Sequence, residues 1–213
     1  MTFSEMFTDL KERITTESGS SFWSDTILKK WLNQANVWVA KKKSWRILQT
    51  AKYTVTVKDQ NYYDLPEDYL YGTMFFVKIN DIDYNYVNEV AFRNKDFNTN
   101  NTFTIHGKFY FVYPTPTEDN LVIDLYYQKR PTTLTNDSDT PELQDELHEA
   151  IISRALYVAL KRDKRDSSAQ LALQDAKDII KDVWTMDKKT FRGTKTVGSI
   201  LSSYSKYSAS GNV

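Results

Sequence analysis

The sequence predicts an α+β protein: a bundle of four helices, two N-terminal and two C-terminal, with an inserted small antiparallel β domain and an extended C-terminal arm. Three observations predict it. Apolar residues recur at helical spacing toward both ends of the chain. Between those regions the spacing falls to two and turn residues interrupt it often. Beyond residue 190 neither pattern continues and no acidic residue occurs. The implied divisions are an N-terminal helical pair (1–49), a β insertion (50–130), a second helical pair completing the bundle (131–189) and a partner-binding tail (190–213). At 213 residues the chain can bury a core without disulfides or metal.

Each element carries its own signature. Thr2 and Glu5 form a capping-box pair, and Phe3, Met6, Phe7, Leu10 and Ile14 follow at helical spacing. Gly19 and the serines around it break the pattern. Ser24 is placed to cap a second helix, Asp25 favours its dipole, and Ile27, Leu28, Trp31, Leu32, Ala35, Trp38 and Val39 form its stripe. Lys41, Lys42 and Lys43 fall at its C-terminal end, where positive charge is favourable. Tyr53, Val55 and Val57 then alternate with Thr54, Thr56 and Lys58, the pattern of a half-buried strand. Asp59-Gln60-Asn61 turns the chain, and Tyr62-Tyr63-Asp64-Leu65 resumes the strand until Pro66 stops it. Strands follow over 73–79 and 82–87 about an Asn80-Asp81 turn, then a short helix over 89–97. A hairpin at Gly107 joins 103–105 to 109–112, and the last strand is 121–127. Short strands at this spacing predict a small antiparallel sandwich or barrel.

Helix returns after Pro131. Asp137 and Asp139 read as N-capping residues ahead of Pro141, which suits a first helical position. Leu143, Leu147, Ile151, Ala155 and Val158 continue as a stripe. A fourth helix is expected over about 167–188, turning Leu173, Ala176, Ile180, Val183 and Trp184 inward.

The residues available for chemistry exclude most enzyme classes. Without cysteine there is no disulfide scaffold, thiolate zinc site or thiol nucleophile. His148-Glu149 begins like a zinc-protease helix, but Ile152 stands where the second histidine belongs, so His148 reads as a helix-surface residue. His106 reads as a strand residue beside a turn. Asp137 and Asp139 resemble a calcium-loop fragment, yet Pro141 follows and the central glycine is missing. No phosphate loop or nucleophile elbow occurs. No catalytic residue, metal or cofactor is therefore expected, and the protein is not read as an enzyme. The 28 Lys+Arg cancel 28 Asp+Glu, which argues against a chain devoted to gripping nucleic acid. Lys41, Lys42, Lys43 and the segment Lys161-Arg162-Asp163-Lys164-Arg165 read as solvated helix ends, and Trp31, Trp38 and Trp45 as core or subunit interface. No membrane association is expected. Glu5 and Asp9 occupy the place of a signal peptide's basic residues, and the apolar run 150–160 is short and interrupted by Arg154.

The tail differs in kind. Gly, Ser, Lys and Tyr dominate it, a composition that does not order by itself. Fully extended, residues 190–213 reach roughly 80 Å, enough to meet a neighbouring subunit.

The order of elements and several local phrases resemble the head-to-tail adaptor (connector, neck ring) proteins of tailed bacteriophages. Tyr62-Tyr63-Asp64-Leu65-Pro66-Glu67-Asp68-Tyr69 looks like the family's strand ending in L-P-x-D-Y/F. Residues 109–116, FYFVYPTP, look like its strand into a Pro-x-Pro turn. Leu125-Tyr126-Tyr127-Gln128-Lys129-Arg130-Pro131, then Leu134 and Asp139-Thr140-Pro141-Glu142-Leu143, resemble its approach to a helix, with Gln144 in place of the usual proline. The resemblance implies a structural virion protein in the neck, made in the host cytoplasm. Its copies would form a ring, commonly of twelve, between the portal protein and a downstream tail or nozzle protein. DNA would meet it only by passing through the channel. The tail would wedge against the portal through Phe191, Ile200, Leu201, Tyr204 and Tyr207, with Arg192, Lys195 and Lys206 meeting acidic surface. The alternatives are another phage neck or tail ring protein, and a carbohydrate- or host-recognition β module using Tyr84, Tyr86 and the 94–101 loop.

Overall fold

In the computed structural model the described residues are 1–18, 23–73, 75–97 and 100–191, with side chains described except at 17, 18 and 187–191. Among the described residues, five α-helices and seven strands make an α+β fold. Helix α1 (Phe3–Ser18) begins as its capping box dictates: the Thr2 amide donates to Glu5 Oε2 at 2.8 Å and the Glu5 amide to Thr2 Oγ1 at 3.2 Å. Helix α2 (Asp25–Ala40) starts after Ser24, although the Ser24 side chain makes no capping bond. Helices α4 (His148–Arg162) and α5 (Asp166–Phe191) close the described chain. α4 packs on α1, α2 and α5, and α1 also meets α2. Their shared core holds Met6, Leu10, Leu32, Val39, Trp45, Ile151 and Ala155.

The middle of the chain folds into one curled sheet. Its strands are β1 (Gln49–Val55), β2 (Tyr62–Asp64), β3 (Phe75–Ile79), β4 (Ile82–Tyr86), β5 (Thr102–His106), β6 (Phe109–Tyr113) and β7 (Val122–Gln128). They lie in the order β1-β7-β3-β4-β5-β6-β2. A second core fills the concave side, where Phe75 meets Phe103, Tyr110 and Tyr127 at ring distances of 5.9, 5.6 and 6.3 Å. Helix α3 (Glu89–Asn94) is capped by Asn88, whose side chain accepts from the Ala91 amide at 2.9 Å, and packs on β5.

Several sequence expectations change. The sheet is not wholly antiparallel: β4 pairs with β3 antiparallel and then with β5 parallel, through Asn85–Thr102 and Tyr86–Phe103. β1 and β2, adjacent in sequence, occupy opposite edges. The long turn between them is held by other strands' ends, with Asp59 N bonded to Pro116 O at 2.9 Å and Thr56 N to Leu121 O at 2.8 Å. Tyr53, Val55 and Val57 are 65, 45 and 48% exposed, so the apolar side of this strand faces away from the second core.

Helix α4 starts at His148, after a 3-10 turn over Asp145–Leu147, and Pro141 lies seven residues ahead of it. Leu143 and Leu134 dock into the helical core from an irregular approach. The Asp137 and Asp139 side chains cap no helix, although their carbonyls accept from the Ser4 and Phe3 amides of the first turn of α1 at 3.1 and 2.7 Å. Asp139 Oδ2 accepts from the amides of Thr135 and Asn136 at 2.7 and 2.8 Å, and Asp137 pairs with Lys29 at 2.8 Å. His148 is buried at 1% exposure rather than on a surface. Its Nε2 lies 3.2 Å from the Leu143 carbonyl and its Nδ1 2.9 Å from the Met1 amine, so the neutral ring donates at one end and accepts at the other. The last helix runs on through Phe191.

Candidate interaction surfaces

Two surfaces border the cores. The first is the convex side of β1, β7 and β3. Alternation on β7 buries Ile123, Leu125 and Tyr127 and turns Val122, Asp124 and Tyr126 outward. The register then sets Tyr126 between Ala51 and Phe76, and Val122 beside Val55. Phe76 is 56% and Tyr126 38% exposed. Lys78 sits opposite Asp124 and pairs with Asp83 at 3.3 Å. Here aromatic and aliphatic side chains stay in water, unlike their inward neighbours.

The second surface is the seam between α2 and α4. Trp38 of α2 lies beneath two cations, with Lys42 Nζ 4.4 Å and Arg154 Cζ 4.8 Å from its ring centroid. Arg154 also lies 4.5 Å from the Tyr157 ring. Two turns along, Arg162 stands 5.3 Å from Trp31, which meets Trp23 edge-on at 5.1 Å. The spacing of Trp31 and Trp38, and of Arg154 and Arg162, puts each pair on one helix face. Burial pulls the Arg154 guanidinium below its ordinary value, only partly offset by Tyr157. Among the described residues no carboxylate lies within ion-pair distance of Lys41, Lys42, Arg154 or Arg162.

Other candidates scatter. His106 Nδ1 lies 2.9 Å from Glu89, which also pairs with Arg93, and the His106 contact holds the Glu89 carboxyl below its usual range. Among the described residues no group of three or more His, Asp or Glu is arranged to hold a metal. Tyr86 lines a cleft of about 520 Å³ with Tyr69, Tyr71, Phe75, Phe76 and Ile105, whereas Tyr84 is half-buried against the second core. Within the 94–101 loop, residues 98 and 99 lie outside the described residues. So do the tail positions Arg192, Lys195, Ile200, Leu201, Tyr204, Lys206 and Tyr207. Of the tail candidates only the backbone of Phe191 is described, as the last residue of α5. Lys161 pairs with Asp166 at 2.7 Å, as a solvated helix end should. Sequence reading passed over Arg154 and Phe76; the one signal for Arg154 was its interruption of an apolar run.

Long helices joined to a curled sheet, with exposed side chains spread over broad faces, make the chain a protein of α+β class. The sequence matches the SU10 adaptor protein family over residues 1–198, and the chain belongs to that family. This agrees with the head-to-tail adaptor resemblance drawn from its strand and turn phrases, and the family is structural rather than an enzyme class. No curated protein matches the chain. No helix among the described residues is long and apolar enough to cross a membrane.

Proposed function

We propose that the protein is a head-to-tail adaptor of a tailed phage, forming a ring under the portal in the virion neck. The four long helices act as one bundle in the ring wall, and the β insertion projects toward the tail or nozzle protein. The ring extends the DNA channel, commonly with twelve subunits, and the DNA it meets is only in passage. The observation that carries the reading is the family match across nearly the whole chain. The exposed aromatic sheet face and the unpaired basic seam support it, because both are surfaces that gain by being covered. The tail, with Phe191, Ile200, Leu201, Tyr204 and Tyr207 as anchors and Arg192, Lys195 and Lys206 as charges, clamps the portal. Such an arm gives up entropy on ordering but wraps a large surface.

The test is native mass spectrometry of the chain alone and mixed with its portal protein. A closed ring at a multiple of 24.9 kDa in either condition is the expected result. A chain ending at Lys189, which lacks every proposed anchor, should form no portal complex. A monomer in both conditions overturns the ring, and an unimpaired truncated chain overturns the clamp.

A further inference from the structure

The α2–α4 seam presents fixed cations without anions. Trp38 and Tyr157 hold the Arg154 guanidinium in place, and Lys42 shares the Trp38 ring. Rings do not neutralise charge, and a guanidinium so held keeps N–H donors for a planar carboxylate. Lys41 and Lys42 are exposed beside it. The chain nevertheless has no net charge, and exposed carboxylates stand on other faces. They gather along α1 and the start of α4. Glu5 and Glu12 are exposed two turns apart on α1, and Asp145 and Glu146 are exposed at the 3-10 turn that meets the Met1 end of α1. Arg13, between Asp9 and Glu149, is the one side-chain cation tied to this edge among the described residues. Among the described residues neither Glu12 nor Glu146 has an ion pair.

We propose that the Lys42–Trp38–Arg154 cluster of the seam docks the acidic edge of a second copy of this chain, which carries Glu5, Glu12 and Glu146. The inference rests on the ring reading above and names the faces that meet. Two different surfaces of one chain that complement each other make a heterologous contact, which repeats in one direction and closes when the rotation per subunit allows. A strongly basic protein would point instead to nucleic acid as the occupant; the exact cancellation of charge within one chain favours self-complementarity.

The experiment mixes equal amounts of ¹⁴N- and ¹⁵N-labelled full-length protein, alone and with the portal protein, and treats both with a carbodiimide. This reagent joins lysine amines to carboxylates in contact. Mixed-isotope cross-links from Lys41 or Lys42 to Glu5, Glu12 or Glu146 are expected. Arg154→Glu should weaken self-association at least about tenfold, or 1.4 kcal/mol, and adding Glu12→Arg should recover part of that loss. Arg154→Gln, with circular dichroism, reports whether the fold survives removal of the charge. Rings whose mixed-isotope cross-links lie elsewhere, with Arg154→Glu neutral, overturn this pairing and leave the ring reading intact. Monomers in both conditions overturn both. If Arg154→Glu abolishes binding of duplex DNA but leaves ring formation unchanged, the pairing is overturned and the seam belongs to nucleic acid.

Discussion

Trp45 shows how much a single side chain holds. It is 1% exposed, donates from Nε1 to the Val39 carbonyl at 3.0 Å and meets Trp184 edge-on at 5.7 Å. It thereby ties the end of α2 to α5 where the chain enters the sheet. Trp45→Ala should cost about 3–5 kcal/mol in urea unfolding, the range for a large aromatic lost from a core. His148 carries a pH dependence. Burial and the neighbouring Met1 ammonium lower its pKa, outweighing the carbonyls of Leu143 and Pro141 and the Asp145 carboxylate, which raise it. The unfolded chain therefore binds a proton more readily than the folded one, and stability falls as pH drops below the ordinary histidine value of about 6.5. Thermal unfolding between pH 7.5 and 5.5 should show that decline, and His148→Gln should flatten it. An unchanged slope would mean that His148 titrates alike in both states.

At the scale of elements, turns and edges decide the sheet. Asn80 and Asp81 join β3 to β4 with φ of 49 and 63°, the left-handed pair that a tight hairpin requires. A residue with a Cβ is strained there, so Asp81→Gly should relieve more energy than the added chain entropy costs. A gain of a few tenths to about 1 kcal/mol in denaturant unfolding is expected, and a loss would mean the Asp81 side chain holds the turn. The phrases that betray the family sit at similar points. Pro66 follows β2 and buries itself, and Tyr69 tucks into the second core beside it, its hydroxyl donating to the Thr73 carbonyl at 3.1 Å. These are positions where backbone geometry leaves few choices, which is why they are legible in a sequence. The start of α4 was not legible. Pro141 meets the local rule for a first helical residue, but Leu143 goes into the core and the chain must pass it in irregular form.

On the scale of the whole molecule, two cores are joined by few buried groups. Gln128 is fully buried and its Nε2 donates to the Ala40 carbonyl at 2.8 Å, linking β7 to α2, while Lys129 N donates to Leu48 O. Gln128→Ala should lower stability by about 1–3 kcal/mol, since the Ala40 carbonyl would lose its donor. The convex sheet face makes the opposite prediction. Phe76→Ser with Tyr126→Ser removes exposed rings, so unfolding free energy should change by less than about 1 kcal/mol. Incorporation into particles should fall if that face meets the tail. Wild-type levels of incorporation would leave the face with no assembly role.

The sequence by itself determined the order of the helices and strands, the absence of cysteine and the family, though not where α4 begins. These follow from periodicity, residue type and turn chemistry, which are local. Tertiary structure alone decided which apolar residues are core and which are surface. Tyr53 and Val55 alternate just as buried residues do, yet β1 is an edge strand and the second core fills the other side of the sheet. It also moved His148 inward and set Arg154 over Trp38, contacts across long stretches of chain. Periodicity gives a face to an element but not the neighbour that covers it, because burial depends on packing between elements distant in sequence.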